Sequence, residues 1–210
     1  MRLLADEFFL LAHDDVSGKP RLHPRVIGIG LASALIGELV LFGCVRIQGP
    51  DLVVVDGRPV GDDLADRVLG AIAGRRRQSV STWLAALAET AQADVAARLA
   101  ADGVVNRVSS RWPGRGDRWV PADMSTAAWP AARLRMLLTH AGAYAEAPTI
   151  PDVALAGLAL SCGLSSYLLW DTAPEVRDHL DRLLSELGPV RDLLAHAEAA
   201  VGDAVMSRRV

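Results

Sequence analysis

The alternation of apolar and polar positions divides the chain into segments. Residues 3–12 are apolar except for Asp6 and Glu7, and the pattern predicts a short helix that ends at the breakers Gly18 and Pro20. A long apolar run follows, "VIGIGLASALIGELVLFGCV", residues 26–45. The runs "CVRI" and "LVVV", around "QGPD", predict a hairpin near 44–55. Helical periodicity predicts helices over 62–74 and 81–102, the second closed by Asp102-Gly103. "VVNRVSSRWPGRGDRWVPADM" then reads as a longer hairpin, near 104–121. From Pro130 onward the pattern is helical. One helix is predicted from Pro151 to Trp170, another from Pro174, and a last one after Gly188-Pro189. The fold class expected is mainly α: one domain over 1–210, about ten helices around two long apolar central helices, with two β-hairpins.

The run 26–45 admits three readings. Eleven of its twenty residues are Leu, Ile, Val or Phe, and Glu38 is its one charge. Those eleven favour bilayer insertion by about 3 to 7 kcal/mol, of which a central carboxylate removes about 3. Gly28, Gly30, Gly37 and Ser33 weaken it further, so the balance for a membrane span is marginal. A helix apolar all round is also what a buried central helix looks like, and this is the reading preferred. "GIGLAS" is a near-match to a dinucleotide-binding turn, but an antiparallel hairpin follows it where a βαβ unit would be required. Residues 153–170 are equally apolar and carry Gly157, Ser161, Gly163, Ser165 and Ser166, small residues that let two helices approach. Glu38, on a buried helix, is expected to be paired or hydrogen-bonded, holding a neighbouring loop.

Composition narrows the function classes. The net charge of −3 does not advertise a nucleic-acid partner, and none is expected. Cys44 and Cys162 have apolar neighbours and read as reduced core residues of a cytoplasmic protein. Lys19 is the only lysine, a bias that suits a GC-rich bacterial genome. No two of the five histidines have metal-ligand spacing, and "CGLSS" is not a nucleophile elbow. His13-Asp14-Asp15 resembles a metal-binding pair but sits at a helix-to-turn junction, where Asp is a turn residue. No catalytic residue, metal or cofactor is assigned, and no enzyme is expected. Basic character is local: Arg75, Arg76 and Arg77 form one run, and Arg107, Arg111, Arg115 and Arg118 interleave with Trp112 and Trp119 in the second hairpin. Arg with Trp suits an anionic bilayer interface.

The order of parts completes the picture. "LLADEFFLLAHDDVSGKP", then "GELVLFGCVRI", "STWLAAL", "RLAADGVV", a hairpin and a helical final third resemble the Golgi phosphoprotein 3 family, in particular its shorter bacterial members. The resemblance implies a mostly helical domain that docks on membranes peripherally and recognises phosphatidylinositol 4-phosphate. It also implies an adaptor for protein cargo. The family's hairpin for oligomerisation and membrane contact falls on Arg111, Trp112, Arg115, Arg118 and Trp119. The family's pocket tryptophan falls on His23, and its three arginines on Ala32, Glu89 and Gln92. An anion site altered in this way loses most of its charge-assisted bonds. The basic candidates left for a lipid head group are His23 and Arg25, with Arg75, Arg76 and Arg77 as a second group.

A winged-helix DNA-binding regulator is the competing reading. "LVLFGCVRIQGPDLVVV" and "LAADGVVNRVSSRW" both run helix, glycine, short strand, hairpin. Against it, residues 81–102 carry Glu89, Asp94 and Asp102 and one arginine, Arg98.

Overall fold

The computed structural model describes residues 3–109, 118–139, 148–169 and 174–206. Among these, ten helices and two small antiparallel sheets follow the order α1 (Leu4–Ala12), α2 (Pro24–Leu41), β1 (Val45–Gln48), β2 (Asp51–Val54), α3 (Asp63–Ala73), β3 (Gln78–Ser79), α4 (Val80–Ala88), α5 (Ala91–Ala101), β4 (Val105–Val108), β5 (Arg118–Pro121), α6 (Met124–Thr139), α7 (Ile150–Ser161), α8 (Ser165–Leu168), α9 (Pro174–Ser185) and α10 (Pro189–Met206).

The run at 26–45 is the central helix. α2 is long and apolar enough to cross a membrane, yet it packs against α1, α3, α4, α5, α7 and α10. Its glycines are points of close approach. A Cβ at Gly28 would lie 2.5 Å from the Ala88 carbonyl of α4, and one at Gly30 would lie 2.3 Å from the Phe8 ring of α1. The near-match to a dinucleotide turn is therefore a packing pattern inside a helix. On α7, a Cβ at Gly157 would meet Leu184 and Leu194, so the same device seats α9 and α10.

The predicted elements fall in place with four differences. The helix expected over 151–170 is two, because Gly163 takes φ +89° and ends α7 before α8. The helix expected over 81–102 is also two, broken at Glu89-Thr90 with no glycine or proline. α6 starts six residues before Pro130, where the Asp123 carboxylate accepts the Thr126 N–H at 2.7 Å and caps the helix. The first hairpin gains a third strand, giving the order β1-β2-β3. Its turn needs Gly49 at φ +59° before Pro50, the residues of a type II′ turn. In the second hairpin, Val105 pairs with Pro121 and Val108 with Arg118.

The core runs from Leu4 to Ala197, with Phe8, Phe9, Ile27, Leu31, Leu35, Leu84, Leu99 and Leu155 fully buried. Both cysteines are free and buried within it.

Candidate functional site

Two arginines join the helices below the surface. Arg98, on α5, donates to Asp6 of α1 at 2.9 Å, to Asp62 at 2.9 Å and to Glu38 of α2 at 3.2 Å. Asp62 is also the N-cap of α3, accepting from Ala65. Burial pushes the Glu38 carboxyl up to about 7, against the pull of Arg98 and of the Ala5 N–H. Burial raises Asp6 as well, opposed by Arg98. Burial works against the charge on Arg98, but Glu38, Asp6 and Asp62 hold its pKa above the ordinary value. Arg133, on α6, makes a bidentate pair with Glu7 at 2.9 and 2.7 Å and reaches Asp152 of α7 at 2.9 Å. Asp152 in turn closes a capping box with Thr149. Glu38 is thus paired, as expected, but it holds a helix rather than a loop. Sequence reasoning missed both arginines. The signal was there: three acids inside apolar runs require buried cations.

Of the positions named above for a head group, Arg25 and Glu89 line one groove, and His23, Ala32 and Gln92 do not. His23 is exposed as the N-cap of α2, its Nδ1 accepting from the Arg25 N–H at 3.3 Å. Ala32 is wholly buried in the middle of α2. Glu89 is exposed at the C-cap of α4 and lines a groove of about 500 Å³ with Arg25, Ser81, His196 and Asp203. Gln92, in the first turn of α5, meets the His13 ring, Nε2 to Nε2 at 3.3 Å. His13 stacks on Phe9 at 4.1 Å and donates from Nδ1 to the Phe9 carbonyl at 2.7 Å. Both nitrogens are engaged, so His13 is a neutral packing residue rather than a metal ligand. Burial lowers its pKa.

The arginine run is held elsewhere. Arg77 pairs with Asp51 at 2.9 Å and reaches Gln48, at the turn of the first hairpin. Arg75 lies over the Trp83 ring, 5.4 Å from its centroid, and Arg76 is exposed. None of the three lines the groove that contains Arg25.

The second hairpin presents Arg107 and Arg118, both exposed. Trp119, the cross-strand partner of Arg107, is half-buried against the core, with the guanidinium 5.9 Å from its ring centroid. Arg111, Trp112 and Arg115 lie outside the described residues.

The family model of Golgi phosphoprotein 3 (GPP34) matches residues 4–207. The chain belongs to that family. No curated protein matches it. The match takes in both helix–hairpin units, α2-β1-β2 and α5-β4-β5, as parts of the Golgi phosphoprotein 3 family pattern. Arg98, the one arginine of α5, is turned inward onto three carboxylates, so it is not presented to phosphates as a winged-helix reading would require.

Proposed function

We propose that this protein is a non-enzymatic, single-domain peripheral membrane protein that docks on anionic lipid through the β4–β5 hairpin and serves as an adaptor for protein cargo. The observation that carries the reading is the charge of the hairpin segment. Residues 104–121 hold four arginines and one aspartate in a chain whose net charge is −3. Arg107 and Arg118 are exposed on the paired strands, and Trp119 lies under the first of them. Cations beside a tryptophan match the head-group region of an anionic leaflet. Family membership supports the peripheral mode of attachment.

Head-group selectivity is expected to follow negative charge rather than the phosphatidylinositol 4-phosphate head group, because Ala32, Glu89 and Gln92 supply no guanidinium. The same hairpin suits self-association, so mass by light scattering belongs beside the binding assay. The test is co-sedimentation with phosphatidylcholine vesicles, with and without phosphatidylserine. Binding that rises with phosphatidylserine and falls with salt supports the reading. Failure to sediment with either vesicle sinks it.

A further inference from the structure

We propose that the outer face of α6 is a second lipid-contact surface, lying flat in the interfacial zone of an anionic bilayer beside the hairpin. The inference rests on the membrane reading above and adds an element to it.

Ser125, Trp129, Ala132 and Met136 fall three and four residues apart, on one face of α6, and all four are exposed. Trp129 is 55% and Met136 49% exposed, and Met124, in the first turn, 58%. The opposite stripe, Ala127, Ala131, Leu134 and Leu138, is core. A helix on the surface of a globular protein ordinarily carries its charge outward. α9 does so, with Asp178, Asp181 and Arg182 exposed. α6 does the reverse. It has no acidic residue, Arg133 is drawn down to Glu7 and Asp152, and Arg135 lies over the Tyr167 ring. What remains outside is uncharged, with an indole and two thioethers.

The surroundings select the occupant. α6 leaves directly from β5, so its apolar stripe continues from the basic hairpin. The turn at 14–19 is seated on that strand as well: a Cβ at Gly18 would lie 1.9 Å from the Trp119 carbonyl oxygen. This brings the exposed Val16 and Lys19 to the same edge. The acids of that turn are already engaged, Asp14 by Ser17 and Asp15 by Arg21. Apolar side chains flanked by cations suit an anionic leaflet. A second copy fits less well, since a two-fold contact would set this cationic region against itself.

The experiment labels Ala132→Cys with an environment-sensitive fluorophore. Cys44 and Cys162 are 4% and 3% exposed, and burial pushes the Cys162 thiol up to about 12, so the native protein takes the label at 132. A blue shift on adding phosphatidylcholine–phosphatidylserine vesicles is expected, with no shift for the same label at Asp181→Cys on α9. The variant carrying Trp129→Ser and Met136→Ser is expected to keep its melting temperature and to lose about tenfold or more in vesicle affinity. Sedimentation with vesicles but no shift at 132 overturns the α6 surface and leaves the hairpin reading intact. No sedimentation at all overturns both. Lost self-association with vesicle binding retained assigns the face to a second copy and overturns the proposal. If the double variant does not fold, the label at 132 decides alone.

Discussion

The Glu38 carboxylate accepts the backbone N–H of Ala5 at 2.7 Å, so a side chain in the last turn of α2 caps the start of α1. Leu3, the residue at the N-cap position, has no side chain able to do so. The same carboxylate binds Arg98, which also holds the N-cap of α3. One cation therefore fixes the starts of two helices and the register of two more.

Replacing Arg98 should be among the most damaging single changes in the chain. Arg98→Met leaves Asp6 and Glu38 buried without a counterion. The expected loss is about 3 to 5 kcal/mol. Urea titration checks it, and a loss below about 1 kcal/mol, the value of a surface pair, would refute the role assigned to the cluster.

Stability should depend on pH through groups of opposite sign, with Glu38 and Asp6 raised and His13 lowered. Glu38 has a folded pKa of about 7 against an ordinary 4.5, so the folded state holds the extra proton between these values. Its contribution is fully present below 4.5 and is lost as pH rises to about 7. His13 is lowered from 6.5, so its contribution is present above that value and is lost as pH falls toward the folded pKa. Glu38→Gln should flatten the first slope and leave the second. Melting curves of both proteins across that range decide the point, and identical profiles would show that Glu38 does not titrate there.

Gly30→Ala should destabilise although alanine is the better helix former. The new methyl would fall 2.3 Å from the Phe8 ring and 2.9 Å from the Cys162 sulfur. Overpacking of this kind costs about 1 to 3 kcal/mol, more than the ~1 kcal/mol gained in helix propensity at the upper end. Calorimetry gives the sign directly.

The positions that the resemblance assigns to a head group can be tested by adding charge. Glu89 is exposed and Gln92 half-buried, so arginine fits at both, whereas Ala32 is sealed in the core. Glu89→Arg with Gln92→Arg is expected to raise affinity for phosphatidylinositol 4-phosphate vesicles by about tenfold over phosphatidylserine vesicles of equal charge. An equal gain on both lipids would mean that added charge, and no pocket, is responsible.

Much of the architecture was legible because it is local. Pro174 and Gly188-Pro189 mark helix boundaries by their own backbone limits, and "QGPD" names its turn. Gly163 was equally readable as a break, but as one of several small residues in an apolar run it reads as a packing contact. The break at Glu89-Thr90 has no such residue and follows from how α4 and α5 pack on α2. Pairings were not legible. Glu38 announces that it needs a cation, but Arg98 lies 60 residues away and carries no mark of its own. Of the candidate site, Arg25 and the hairpin arginines could be named from composition. The outward stripe of α6 could not, since Trp129 and Met136 differ from core residues only in which way the helix turns.

The distance between Glu38 and Arg98 bears on how the protein is made. Both apolar surface and carboxylate of α2 leave the ribosome 60 residues before the guanidinium that neutralises them. At about 5 to 20 residues per second, that interval is roughly 3 to 12 s. Throughout it the nascent chain displays an 18-residue apolar segment that meets the length and hydropathy of a membrane span. Its one acidic residue, with Gly28, Gly30, Gly37 and Ser33, distinguishes it from a uniformly apolar span. Glu38 thus meets its counterion only after α5 has been made, so the cluster that ties α1, α2 and α3 together closes late in synthesis.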